Sequence, residues 1–122
     1  MGDMAVSRTV FPGVSDDPVT RVAVSAASSG DNTLVAAATA RKIRVLAMHL
    51  SAASAVTVRV EDGAGGSALF GRANLVANGN LQVTLPYNPA GWFETTAATL
   101  LNLELGGAVQ VSGCLVYQLV SS

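Results

Sequence analysis

The stretch RKIRVLAMHLSAASAVTVRVE, residues 41–61, contains two strand patterns of different kinds. Within 55–61 apolar and polar residues alternate, a period of two that is typical of a strand with one buried face. Within 41–51 both sides are apolar. One side carries Ile43, Val45 and Ala47, and the other carries Leu46, Met48 and Leu50. This stretch therefore predicts β-structure, with one strand that needs cover on both of its faces.

Six further runs rich in β-branched and apolar residues lie between turn residues, at 19–26, 32–38, 67–76, 80–85, 99–105 and 108–120. The last of them is again apolar on both sides, with Val116 on the side of Cys114. Eight short strands at this spacing predict an all-β fold, an antiparallel β-sandwich of the jelly-roll kind, over residues 19–122. The spacing also leaves an immunoglobulin-like strand order open. Residues 1–18 show no sustained periodicity, so we expect an extended N-terminal arm there.

The composition argues against several classes of function. Only 12% of residues are charged and the net charge is -1, without the basic face that nucleic-acid binding requires. Half of the residues are hydrophobic, so we expect some of the surface to be covered by other protein. The uncharged run at 105–122 is interrupted by polar residues and predicts a strand rather than a membrane span. The N-terminus lacks the pattern of a secretory signal, so synthesis in the cytoplasm without export is expected.

Few residues carry catalytic or metal-binding chemistry. His49 and Cys114 are single residues of their types, and no spacing in the sequence brings them together. Zinc sites need more Cys or His ligands than these two. The acidic pairs Asp16-Asp17 and Glu61-Asp62 lack the spacing of a calcium loop and are interpreted as solvated turns. The sequence therefore predicts a protein that is not an enzyme and has no metal or other cofactor.

The segment PYNPAGWFET, residues 86–95, holds three of the six aromatic residues and two of the four prolines. Pro86 and Pro89 fix the backbone of a crossing loop. Because neighbouring side chains of an extended segment point to opposite sides, we expect Trp92 to plug the core and Phe93 to face outward with Tyr87. The interface residues predicted for this loop are Tyr87, Pro89, Trp92 and Phe93. In the arm, the apolar anchor is formed by Val10, Phe11 and Pro12.

Four segments carry a resemblance to a known family: PYNPAGWFET, the preceding NGNLQVTLP, the later LNLELGGAVQVSGCLVYQLV and the earlier SGDNTLVAAATARKIRVLAMHL. Together they resemble small virion proteins of tailed bacteriophages, particularly capsid decoration (cement) proteins. The resemblance covers roughly residues 19–120.

That resemblance implies a jelly-roll protein that assembles as a homotrimer on the outer capsid surface and fastens neighbouring subunits of the phage major capsid protein. The trimer interface is expected on the second apolar faces, at Leu46, Met48, Leu50 and Val116. A tail- or fibre-associated phage β-sandwich is the alternative. It would use Trp92 and Tyr87 as a stacking platform for carbohydrate.

Overall fold

The computed structural model describes residues 14–76 and 83–121, which form nine β-strands and no helix. The strands are β1 (Val19–Ala26), β2 (Gly30–Val35), β3 (Arg41–Ala52), β4 (Val56–Asp62), β5 (Ser67–Leu75), β6 (Val83–Leu85), β7 (Phe93–Glu94), β8 (Leu101–Leu105) and β9 (Val111–Ser121). Each predicted strand has its counterpart, with ends that differ by a few residues. The two-residue strand β7 was not predicted.

The strands form two antiparallel sheets. The first has the order β1-β9-β3-β6, with β7 also paired to β3, and the second has the order β2-β8-β4-β5. The pairs β1/β9, β2/β8, β3/β6 and β4/β5 are nested inside one another, as in one long hairpin rolled into a sandwich. This is the jelly-roll arrangement, and the immunoglobulin-like order is excluded.

The core lies between the sheets and follows the predicted alternation in most strands. The buried core residues of these two strands are Val56, Val58 and Val60 of β4 and Leu101, Leu103 and Leu105 of β8. Partly buried side chains pack against this core, among them Phe70, Phe93 and Tyr117. The central aliphatic residues are Ile43, Val45, Met48, Leu50, Leu101, Leu103, Leu105, Val111 and Leu115.

A β-bulge explains the apolar pattern of β3. Val45 is paired with Tyr117 and Ala47 with Val116, which leaves Leu46 as an extra residue in β3. An extra residue shifts the alternation by one, so Met48 and Leu50 join the same core face as Val45.

The prediction that strand 41–51 is apolar on two faces is therefore wrong. Leu46, Met48 and Leu50 are buried within the single chain, so they leave no surface for a trimer contact. Val116, on the outer side of β9, is half-buried.

The outer face of β9 is covered near its end by the chain's own N-terminal segment. The Gln118 amide donates to the backbone oxygens of Ser15 (3.0 Å) and Asp17 (2.8 Å). Asp17 also lies 3.5 Å from Arg41 of β3. Val120, on the same face of β9, is buried. Residues 14–17 thus form a strap across this sheet, which is the cover that the second apolar face of β9 needed.

The outer face of the second sheet carries a buried polar network. Glu61 is 1% exposed, and its carboxylate accepts hydrogen bonds from Asn102 (2.8 Å) and from the Gly65 backbone (3.2 Å). Arg59 lies 3.2 Å from the other carboxylate oxygen. The interpretation of Glu61 as part of a solvated turn is therefore wrong, because this side chain joins β4 to β8 and to the loop after β4.

Candidate interaction site

The loop Pro86–Trp92, here called the aromatic loop, spans the bulge of β3. β6 pairs with residues 48–50 of β3 and β7 pairs with residues 44–45, on the same edge. Between them the Asn88 backbone donates to Leu46 O and the Trp92 backbone to Val45 O, each at 2.8 Å. The aromatic loop is therefore held to β3 by main-chain hydrogen bonds where regular pairing is interrupted.

Internal hydrogen bonds fix the shape of this loop. Asn88 accepts from the Ala90 backbone through Oδ1 (3.1 Å) and donates from Nδ2 to Gly91 O (3.2 Å). The Trp92 indole donates from Nε1 to Pro86 O at 2.7 Å. These polar groups already have partners inside the loop, so the exposed part of the indole is apolar ring surface.

The strand register decides which aromatic ring is buried. Phe93 lies directly opposite Val45, a core residue, and directly opposite residues of paired strands share a face. Phe93 accordingly packs against the core, while Trp92 is 44% exposed and Tyr87 is 59% exposed. The expectation that Trp92 is the plug is wrong: Phe93 has that place, and Trp92 shares the outer position with Tyr87. Pro89 is also exposed.

Charged residues beneath the loop pair with one another. The Arg44 side chain lies under Gly91 and pairs with Glu94 at 2.9 Å, and Lys42 lies 3.6 Å from the same carboxylate. Two cations thus share one carboxylate beneath a loop that carries two exposed rings.

Gly91 is required by this arrangement. Its φ is +85°, and a Cβ placed there would lie 2.5 Å from Arg44 Cγ. We expect Gly91→Ala to cost about 1–2 kcal/mol of unfolding free energy for the backbone conformation. It should also displace the loop, seen as a change in Trp92 emission.

Gly30→Ala is the matched control for that variant, because Gly30 has the same φ of +85° with nothing within 4 Å of an added Cβ. It should lose similar stability without altering Trp92 emission. Equal emission spectra for both variants would show that Arg44 does not support the loop.

Other candidate residues lie elsewhere. His49 stands directly opposite Cys114 and Thr84 on the outer face of the first sheet, and its Nδ1 is 3.2 Å from Thr84 Oγ1. This neighbourhood depends on strand register, so spacing did not reveal it. Within residues 14–76 and 83–121 no group of three or more His, Cys, Asp or Glu side chains is placed to hold a metal ion. The arm residues Val10, Phe11 and Pro12 lie outside the described residues.

No protein-family model matches the chain, and no curated protein is significantly similar to it. Within the described part of the chain, no helix is long and apolar enough to cross a membrane.

Proposed function

We propose that this protein is a non-enzymatic capsid decoration protein of a tailed bacteriophage, which binds the outer capsid surface as a homotrimer and stabilises contacts between major capsid subunits. The observation that carries the proposal is the aromatic loop, where Tyr87 and Trp92 are exposed on a segment held rigidly to β3. Exposed aromatic anchors on a rigid support are typical of protein interfaces. The resemblance of residues 19–120 to decoration proteins supplies the identity of the partner.

Trimeric assembly would multiply a weak contact. Three copies of the aromatic loop engaging the shell together would raise the apparent affinity by ~10²-fold or more, provided that the geometry lets all three bind. Because Leu46, Met48 and Leu50 of β3 are buried within the chain, the subunit contacts must use other surface. Val116 and the exposed Val19 are candidates on the first sheet.

The oligomeric state is the first measurement. Light scattering of the purified protein at micromolar concentration is expected to give three times the mass of one chain. A monomer that persists as the protein concentration rises would contradict the trimer.

The proposed capsid partner is tested on phage particles. Cryo-electron microscopy of the parent phage, compared with particles that lack this protein, is expected to show threefold density on the capsid exterior only in the former. Density on the tail alone would favour the tail- or fibre-associated alternative.

Carbohydrate binding is the second candidate function, because Tyr87 and Trp92 are exposed on the same loop. A sugar site adds hydrogen-bonding groups around its rings, whereas the amide of Asn88 and the indole N–H of Trp92 are engaged within this loop. This engagement favours a protein partner. Saturable glycan binding that Trp92→Ala abolishes would reverse that preference.

A further inference from the structure

One row of side chains crosses the outer face of the first sheet and brings together residues from four strands. Cys114 of β9 lies directly opposite both His49 of β3 and Ala23 of β1, and His49 lies directly opposite Thr84 of β6. Directly opposite residues of an antiparallel pair share a face and have Cβ atoms about 4.5–5.5 Å apart. The row therefore places a thiol beside an imidazole, two side-chain types that bind soft and borderline metal ions.

The orientation of the imidazole suits a ligand shared with the thiol. β6 and β9 flank β3 on opposite sides, and on the β6 side His49 Nδ1 is 3.2 Å from Thr84 Oγ1. Because Nδ1 and Nε2 belong to opposite edges of the ring, the contact of Nδ1 with Thr84 leaves Nε2 on the side of Cys114. A metal-ligating histidine usually donates its other ring N–H to an oxygen acceptor, which fixes the ring. Thr84 Oγ1 is placed to accept that hydrogen bond.

The pair is accessible and its separation is fixed. His49 and Cys114 are both partly exposed, and the residues two positions before and after His49 on the same face are the small Ala47 and Ser51. Beside the pair the backbones of β3 and β9 are in close contact, because a Cβ added to Gly113 would collide with the His49 backbone oxygen. Two ligands held at a fixed separation lose little freedom when they bind.

We propose that His49 Nε2 and the Cys114 thiolate bind one thiophilic metal ion between β3 and β9. With a metal–sulfur distance of about 2.3 Å and a metal–nitrogen distance of about 2.1 Å, the two ligand atoms lie at most about 4.4 Å apart, which these opposed side chains can span. Two protein ligands satisfy Cu⁺, which forms stable two-coordinate complexes with soft donors, whereas Zn²⁺ needs two further ligands. We therefore expect Cu⁺ to bind more tightly than Zn²⁺. The site does not depend on the proposed capsid attachment, because neither residue belongs to the aromatic loop.

The test uses the untagged full chain without oxygen, with Cu⁺ supplied from a coloured chelator that competes with the protein for it. Wild type is expected to withdraw one Cu⁺ per chain. Cys114→Ser and His49→Gln should each bind at least about tenfold more weakly, since loss of an outer-shell partner alone typically costs 10–100-fold. Thr84→Val, which removes such a partner, should weaken binding by about tenfold. Ser51→Ala, a truncation on the same face of β3, is the control and should bind as wild type does.

Circular dichroism of each variant is expected to match wild type, because both ligands lie outside the core. Equal binding of Cu⁺ by wild type and Cys114→Ser would overturn the site. If Cys114→Ser loses binding while His49→Gln binds as wild type does, the thiol acts alone and the paired site is wrong. The same variants titrated with Zn²⁺ should show weaker binding that depends on both residues. Tighter binding of Zn²⁺ than of Cu⁺ would overturn the two-coordinate assignment.

Discussion

Replacement of Gly113 by alanine is expected to disrupt the pairing of the two longest strands, β3 and β9. Gly113 lies directly opposite Leu50, and a Cβ placed on it would come within 1.7 Å of the His49 backbone oxygen. The atom that it meets belongs to the backbone of a central strand, so no side-chain rotation relieves the contact. Overpacking of a core costs typically 1–3 kcal/mol, and we expect about 3 kcal/mol or more here.

Urea unfolding followed by circular dichroism measures this loss, which is a large fraction of the roughly 5–15 kcal/mol that stabilises a typical domain. The control is Gly71→Ala in the edge strand β5, where nothing lies within 4 Å of an added Cβ. That variant should be as stable as wild type or slightly more stable. If Gly113→Ala unfolds at the same urea concentration as Gly71→Ala, the two strands do not approach as closely as described.

The second large effect is expected for Trp92→Ala, on attachment of the protein to capsid shells. Trp92→Ala should leave the sandwich folded, because the indole lies outside the core and its one hydrogen bond is to Pro86 O. Truncation of an aromatic interface anchor typically costs at least about 2 kcal/mol, or ~30-fold in affinity at one contact. A trimer that uses three such contacts together would lose up to ~10⁴-fold in avidity.

The measurement is the fraction of protein that sediments with cognate capsid shells lacking it, as a function of protein concentration. Val76→Ala is the matched control, since Val76 is 40% exposed at the end of β5, away from the aromatic loop. It should bind shells as wild type does. If Trp92→Ala also binds as wild type, the aromatic loop is not the anchor.

Phe93→Ala is expected to do the opposite of Trp92→Ala. Because Phe93 packs against the core, this variant should unfold at lower temperature. Its half-buried ring places the loss below the 3–5 kcal/mol typical of fully buried Phe residues. Thermal unfolding of the two variants side by side tests the assignment of rings made by the structure. A stable Phe93→Ala together with an unstable Trp92→Ala would restore the sequence-based expectation.

The sequence was sufficient for the strands but insufficient for the register of β3. Alternation in 55–61 predicted a strand with one core face, and β4 has that form with Val56, Val58 and Val60 buried. In 41–51 the same reasoning failed. A bulge adds one residue to a strand, and the amino-acid composition does not reveal it. When strict alternation is assumed, the apolar residues before and after Leu46 are therefore assigned to opposite faces of the strand.

The aromatic loop shows the same limit. Its rigidity followed from Pro86 and Pro89, and its opposed rings followed from the extended backbone. Which ring turns inward depends on the pairing of Phe93 with Val45, a contact between residues almost fifty positions apart. The larger ring gains most from burial, which favoured Trp92 in the sequence-based argument. The strand register outweighed the preference for burying the larger ring, because it places Phe93 on the core face. In its outer position the Trp92 indole N–H has a hydrogen-bond acceptor in Pro86 O.

The nested strand pairing has a consequence for how the chain folds. Among the described strands β1 pairs with β9 alone, and its first residue Val19 lies opposite Gln118, roughly a hundred positions later. During synthesis on a ribosome, β1 therefore has no native partner until nearly all of this sequence has emerged. The chain entropy lost in closing so long a loop must be lost before the β1/β9 hydrogen bonds form. Folding is therefore expected to be slow, in the millisecond to second range typical of such β-topologies. Until β9 arrives, the unpaired edge of β1 is available to other nascent chains, and rapid crowded synthesis would favour misassembly over the sandwich.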